Sequence, residues 1–98
     1  MNIQAMMKQA QALQKTMLKE KEEIDNTVFE GKSSFVTVEI YGNKKIKSIK
    51  IENDNISEDE IELLEDMIVV AINNAMDQVD KVTEEKMGKY TKGMPGLF

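Results

Sequence analysis

Residues 67–72 read Met-Ile-Val-Val-Ala-Ile, six consecutive apolar positions inside a stretch with helical spacing. Around them Ile61, Leu64, Ile68, Ala71, Ala75, Val79 and Val82 share one stripe, while Glu62, Asp66, Asp77, Asp80 and Glu84 fall opposite. The pattern predicts a helix from Glu58 to about Tyr90 that is apolar all round through its middle. Such a helix is normally buried on every side. A sheet and a second helix can cover one side. In a 98-residue chain nothing else is left to cover Val69 and Val70. Another copy of the chain is the remaining cover, so Met67, Ile68, Val69, Val70 and Ile72 are the expected interface of a homodimer.

Composition points the same way. A single domain this small buries only part of its apolar surface, and metals, disulfides or a partner subunit often complete the core. The chain has no cysteine and no histidine, which removes disulfides and argues against zinc. Eight methionines suit adaptable apolar packing rather than chemistry. Residues 1–90 are expected to form the domain and residues 91–98 a tail. The tail region GKYTKGMPGLF carries three glycines and the only proline, with Met94, Leu97 and Phe98 able to dock or stay loose.

Residues 2–25 predict a first helix. Ile3, Met6, Ala10, Leu13, Met17 and Ile24 share a face, with Met7 and Leu18 on its flank. Gln4, Lys8, Gln11, Lys15 and Lys19 form the opposite stripe, uninterrupted by an acid until Glu22. Two readings fit that stripe: an ordinary solvated face, or a row of donors for phosphate. Glu20, Glu22, Glu23 and Asp25 then crowd the end where the helix dipole disfavours negative charge, so that end should fray or be held by tertiary contacts.

Next the period changes to two. Thr27–Gly31 reads as a short strand and Gly31–Ser34 as a turn. In the strand Phe35–Tyr41, Val36, Val38 and Ile40 share one face. Gly42-Asn43 marks a hairpin turn. In the return strand Ile46 is out of phase with Ile49 and Ile51, which implies a bulge. Lys44, Lys45, Lys47 and Lys50 there serve either as protection of a strand edge or as a grip on an anion. Ser57 and Glu60 match a capping box ahead of the second helix.

Net charge is −5, unevenly spread: residues 1–51 hold nine lysines and six acids, residues 52–98 four and twelve. This hints at one face for an anionic partner. Ser–His and Cys–His nucleophiles are excluded by composition, and the turn Gly42–Lys45 lacks the ending of a phosphate-binding P-loop. Asp54–Glu62 lacks the central glycine of a calcium loop. The expectation is a binding or structural protein, with no catalytic residue and no small-molecule substrate. No apolar run approaches the ~20 residues that cross a bilayer, and the N-terminal residues do not resemble a secretory signal. A soluble, cytoplasmic protein without membrane contact is expected.

Four segments together resemble the YbaB/EbfC family of bacterial nucleoid-associated proteins. They are MKQAQALQKTM (7–17), VTVEIYGNKKIKSIKI (36–51), LLEDMIVVAINNAMDQVDKVTEEKM (63–87) and the closing GMPGLF. Val36, Val38 and Gly42 match the hairpin motif, and Leu64, Glu65, Asp66, Ala71, Asn73 and Ala75 match the second-helix motif. The resemblance implies an α+β protomer, helix–three-stranded antiparallel sheet–helix, in an intertwined homodimer with projecting helices. It further implies a nucleoid location, and binding of double-stranded DNA that alters its conformation and influences gene expression. No cofactor and no enzymatic activity are implied. The lysines that would sit in the projections are Lys8, Lys15 and Lys19, with Gln11 between them, and Lys86, Lys89 and Lys92 in the second helix. The chain has no arginine and lacks the family's glycine-rich N-terminal extension. Lysine meets phosphate as a point charge and is poorer at bidentate base reading, so phosphate-dominated binding is expected. The alternative is a dimeric protein-interaction module without a nucleic-acid role, suggested by the acidic outer face of the second helix.

Overall fold

The computed structural model describes residues 2–93. In chain order the elements are α1 (Ile3–Asn26), β1 (Val28–Ser33), β2 (Val36–Tyr41), β3 (Ile46–Ile51), one 3-10 turn (Glu58–Glu60) and α2 (Ile61–Gly93). The three strands form one antiparallel sheet with β2 in the centre. This is the α+β order expected from the residues.

The alternation in β2 decides which way the sheet faces. Val36, Val38 and Ile40 are fully buried, and Thr37, Glu39 and Tyr41 on the other face are half-buried. α2 lies over β1 and β2, closing the core with Ala71, Ala75 and Val79 against Phe29 and the β2 side chains. Fully burying a valine or isoleucine is worth about 1.5–3 kcal/mol, so these few positions hold the sheet to the helix.

Two strand boundaries differ from expectation, for one reason. β1 runs to Ser33, and the turn is the two-residue loop Ser34–Phe35, with Ser34 at φ 53°. Gly31 therefore lies inside the strand, opposite Val38, and not in the turn. A Cβ there would overlap the carbonyl oxygen of Ala71, so this glycine permits the close approach of α2. Gly42 is similar: a Cβ would strike the carbonyl oxygen of Ile24 in α1. The left-handed residue of the β2–β3 turn is instead Lys44, at φ 70°.

The expected bulge is present. Glu39 pairs with Ser48 and Ile40 with Ile46, leaving Lys47 as the extra residue. It puts Ile46 in phase with Ile49 and Ile51, so all three lie on the face that carries Val36, Val38 and Ile40. α2 does not reach β3, and the three isoleucines stay more than two-fifths exposed.

β1 is the other edge strand, and α2 closes it. Asn74 donates through Nδ2 to the carbonyl of Lys32 (3.0 Å), and Gln78 through Nε2 to the carbonyl of Glu30 (2.7 Å). Edge carbonyls that could template another strand are thereby occupied.

The expected capping box takes a different form. The hydroxyl of Ser57 donates to the Glu60 carboxylate (3.0 Å) rather than accepting from a backbone N–H, and the first turn is 3-10. At its other end α2 continues past Tyr90 to Gly93, into the segment expected as tail; residues 94–98 of that tail lie outside the described residues.

Candidate nucleic-acid interface

α1 begins at Asn2, whose side chain accepts from the backbone N–H of Gln4 (3.0 Å). Its acidic C-terminal end is held, as Asn26 donates to the carbonyl of Glu22 and Thr27 to that of Glu23 (2.9 and 2.7 Å). Ile24 and Met17 are buried in a small cluster with Met87 and Tyr90 of α2. Every residue from Asn2 to Thr16 is exposed. The first half of α1 is thus a projecting rod, and the described chain measures 71 × 19 × 14 Å.

On that rod Lys8, Gln11, Lys15 and Lys19 face away from the seam with α2, since at ~100° per residue they lie opposite Met17. Gln11, Lys15 and Lys19 border one shallow concavity, joined by Gln14, Leu18 and Glu22. Gln14 was not singled out in the sequence; it enters because it lies one turn from both Gln11 and Leu18. From Lys8 to Lys19 the axial span is about 16 Å. Among the described residues, no carboxylate lies within ion-pair distance of Lys8, Lys15 or Lys19.

Lys86 and Lys89 have different surroundings. They line a separate recess with Glu20, Glu23 and Glu85. Lys89 Nζ is 3.4 Å from Glu20 Oε1 and 5.1 Å from the centroid of the Tyr90 ring. The hydrogen bond and charge of Glu20 hold the Lys89 ammonium above its ordinary pKa of 10.5, so it stays protonated. Lys92 belongs to the last turn of α2. The structure brings together the α1 set and the Lys86–Lys89 pair as two surfaces, not one.

The hairpin lysines are scattered. Lys44 makes a 2.9 Å ion pair with Asp80, tying the turn to α2. Lys47 is the bulge residue, and Lys45 and Lys50 are exposed. A contact across 36 positions of sequence leaves no local signal, which is why the Lys44–Asp80 tie was not legible.

Of the five interface candidates in the apolar run, Met67, Ile68 and Ile72 are half-buried and pack on the core. Val69 and Val70 are exposed, by 56% and 47%, in the single chain. Among the described residues no cluster of acids is arranged to hold a metal ion, and no helix is long and apolar enough to cross a membrane.

The profile of the YbaB/EbfC DNA-binding family matches residues 1–94. This chain belongs to that family. It is 53% identical over 97 residues to a nucleoid-associated protein of Lactococcus lactis subsp. cremoris, covering 97% of this chain and 98% of the relative. A nucleoid-associated protein of Ligilactobacillus salivarius is 44% identical over 99 residues, covering 99% and 95%. One of Enterococcus faecalis is 38% identical over 98 residues, covering 98% and 94%. In this YbaB/EbfC member the motif residues build the scaffold. Val36 and Val38 fill the core, Gly42 admits α1, and Ala71 and Ala75 seat Gly31. The lysines of α1 stand outside that framework.

Proposed function

We propose that this protein binds duplex DNA as a homodimer, mainly through phosphate contacts made by Lys8, Gln11, Lys15 and Lys19 of α1. The observation that carries this reading is that these lysines lie on an exposed helix face with no carboxylate paired to them among the described residues. They are free to exchange counterions for phosphates. Lys86, Lys89 and Lys92 add secondary contacts, weakened for the first two by Glu20, Glu23 and Glu85. Binding through point charges reads the backbone rather than base edges, and two such rods in one dimer bend or compact the duplex. The protein then works at the bacterial nucleoid, where altered DNA conformation influences gene expression.

The dimer rests on uncovered apolar surface. Asn74 and Gln78 turn toward the β1 edge, so the flank of α2 bearing Ile68 and Ile72 turns toward β3, where Ile46, Ile49 and Ile51 lie uncovered. With Val69 they make a surface of the kind that marks protein–protein contact, and Val70, one turn before Asn74, adds exposed apolar surface on the other flank of α2. A second copy covers it in an intertwined homodimer. No step in this reading needs a cofactor or a reaction.

Gel-shift titration of a short duplex at increasing salt tests the reading. The expected result is binding at low salt whose log–log slope is steep and little changed by sequence. No retention at low salt would sink it. The exposed acidic residues of α2, among them Glu62, Asp66 and Asp77, favour one other reading, a protein-interaction module. Capture of a basic partner that survives nuclease treatment would support that reading instead.

A further inference from the structure

The projecting half of α1 carries an apolar stripe that the described residues leave open. Ile3, Met6 and Leu13 are 72%, 49% and 43% exposed, and Ala10 between them is exposed too. Their spacing is stricter than that of an ordinary amphipathic helix. Residues 3, 6, 10, 13, 17, 20 and 24 advance by alternating steps of three and four, the heptad of a coiled-coil seam. Along the second half of α1 the occupant of that seam is α2. Met17 and Ile24 are buried with Met87 and Tyr90, and Glu20, the one charged seam position, meets Lys89 at 3.4 Å. Along the first half the same seam runs on without a partner among the described residues.

The open seam is complementary to a reversed copy of itself. With a twofold axis at the level of Lys8, Ile3 of one copy falls opposite Leu13 of the other, and Met6 opposite Ala10. Large side chains then meet in the outer layers, and the long Met meets the small Ala in the inner ones. The flanks of the seam carry no charge in this half: Asn2, Met7, Gln9, Gln14 and Thr16 occupy them, whereas Lys21 and Glu23 do so further on. Lys8 and Lys15 lie on the far side of each helix. Across a pair they stand about 20 Å apart, well beyond the screening length of about 8 Å at physiological salt. The register also leaves room. Glu20 meets Lys89 and Ile24 shares a recess with Val79 and Thr83, so α2 runs antiparallel to α1 and brings Gly93 near Thr16. A reversed copy begins opposite Leu13, short of that point, while a parallel copy would run into the place α2 holds.

We propose that the projecting halves of α1 from two copies of this chain pair antiparallel through Ile3, Met6, Ala10 and Leu13. The contact goes beyond the homodimer proposed above. α1 approaches the sheet at Ile24, beside Gly42, and Leu13 is about 16 Å further along the helix. The rod seam is therefore a second surface, separate from that of Ile46, Ile49, Ile51 and Val69, and it links homodimers to one another. Four apolar layers make a weak contact singly, which strengthens when several dimers are held close together. The paired rods turn their lysines outward on opposite sides, so each face stays open to a separate polyanion.

The chain has no cysteine, so single substitutions report the register. Ile3→Cys and Leu13→Cys chains, mixed at about 100 μM without DNA and mildly oxidised, are expected to give several-fold more disulfide-linked dimer than either variant alone. The same result is expected in a Val70→Asp background, so loss of the homodimer and loss of this contact are told apart. In light scattering the native mass should grow as concentration rises from the micromolar range to this one. Ala10→Glu, which keeps a strong helix former in place, should hold the mass at its micromolar value. Strong cross-linking of Leu13→Cys with itself would overturn the antiparallel register. A mixture that links no better than its components, with a native mass that does not grow, would overturn the proposal outright.

Discussion

Gly31 of β1 and Ala75 of α2 meet so closely that any side chain on the strand residue would run into the helix backbone. This contact sets the height of α2 over the sheet, and with it the position of everything α2 carries. Gly31→Ala forces the helix away or bends the strand, at a cost of about 1–3 kcal/mol. Urea unfolding should show a lower midpoint with an unchanged slope. An unaltered midpoint would mean that the packing is looser than described.

Val70 offers a test of assembly that leaves the protomer core alone. It is 47% exposed in the single chain, so Val70→Asp removes no core contact. In the homodimer the new carboxylate would be buried without a partner, a state that protein surfaces avoid strongly. Sedimentation should show the native chain as a dimer at micromolar concentration and the variant as a monomer, both with native helix content. A native chain that sediments as a folded monomer would remove the dimer from the account.

How far the residues foretold these contacts depends on the range of the physics involved. Period-two alternation at Val36, Val38 and Ile40 is local, and so is the phase slip at Ile46; both placed the strand face and the bulge correctly. Gly31 misled, because it read as turn punctuation and lies inside β1, whereas Gly42 does mark the β2–β3 turn. What stayed hidden for both is the backbone they meet, which comes from elements far away in sequence. Lys8, Lys15 and Lys19 were visible as a stripe because helical spacing alone defines a stripe. That Lys86 and Lys89 lie among Glu20, Glu23 and Glu85 was not visible, since it depends on how α1 and α2 meet.

Lys89 and Glu20 give a pH-linked prediction. The carboxylate raises the ammonium pKa above 10.5, so whatever the pair contributes is complete below pH 10.5 and is lost as pH rises through the higher folded value. In Glu20→Gln the Lys89 titration, followed by NMR of the side-chain ammonium neighbourhood, should move back toward 10.5. Removing the carboxylate also frees Lys89 for phosphate, so the variant should hold DNA somewhat more tightly at low salt. A Lys89 titration that does not move would show that the two side chains do not meet in solution.

The cationic face of α1 can be separated from the rest of the lysines by its salt dependence. Each phosphate contact contributes a slope of about −0.9 to log affinity against log salt. Lys8→Gln with Lys15→Gln removes up to four contacts from a dimer, so the slope should flatten by about 3–4. Lys45→Gln, on the exposed hairpin turn, should leave the slope within about one contact of the native value. Both variants should keep native stability, because surface substitutions away from special features usually change it by less than about 0.5 kcal/mol. If instead the hairpin variant flattens the slope and the α1 variant does not, the grip on DNA belongs to the sheet edge. The projecting helix would then serve assembly rather than binding.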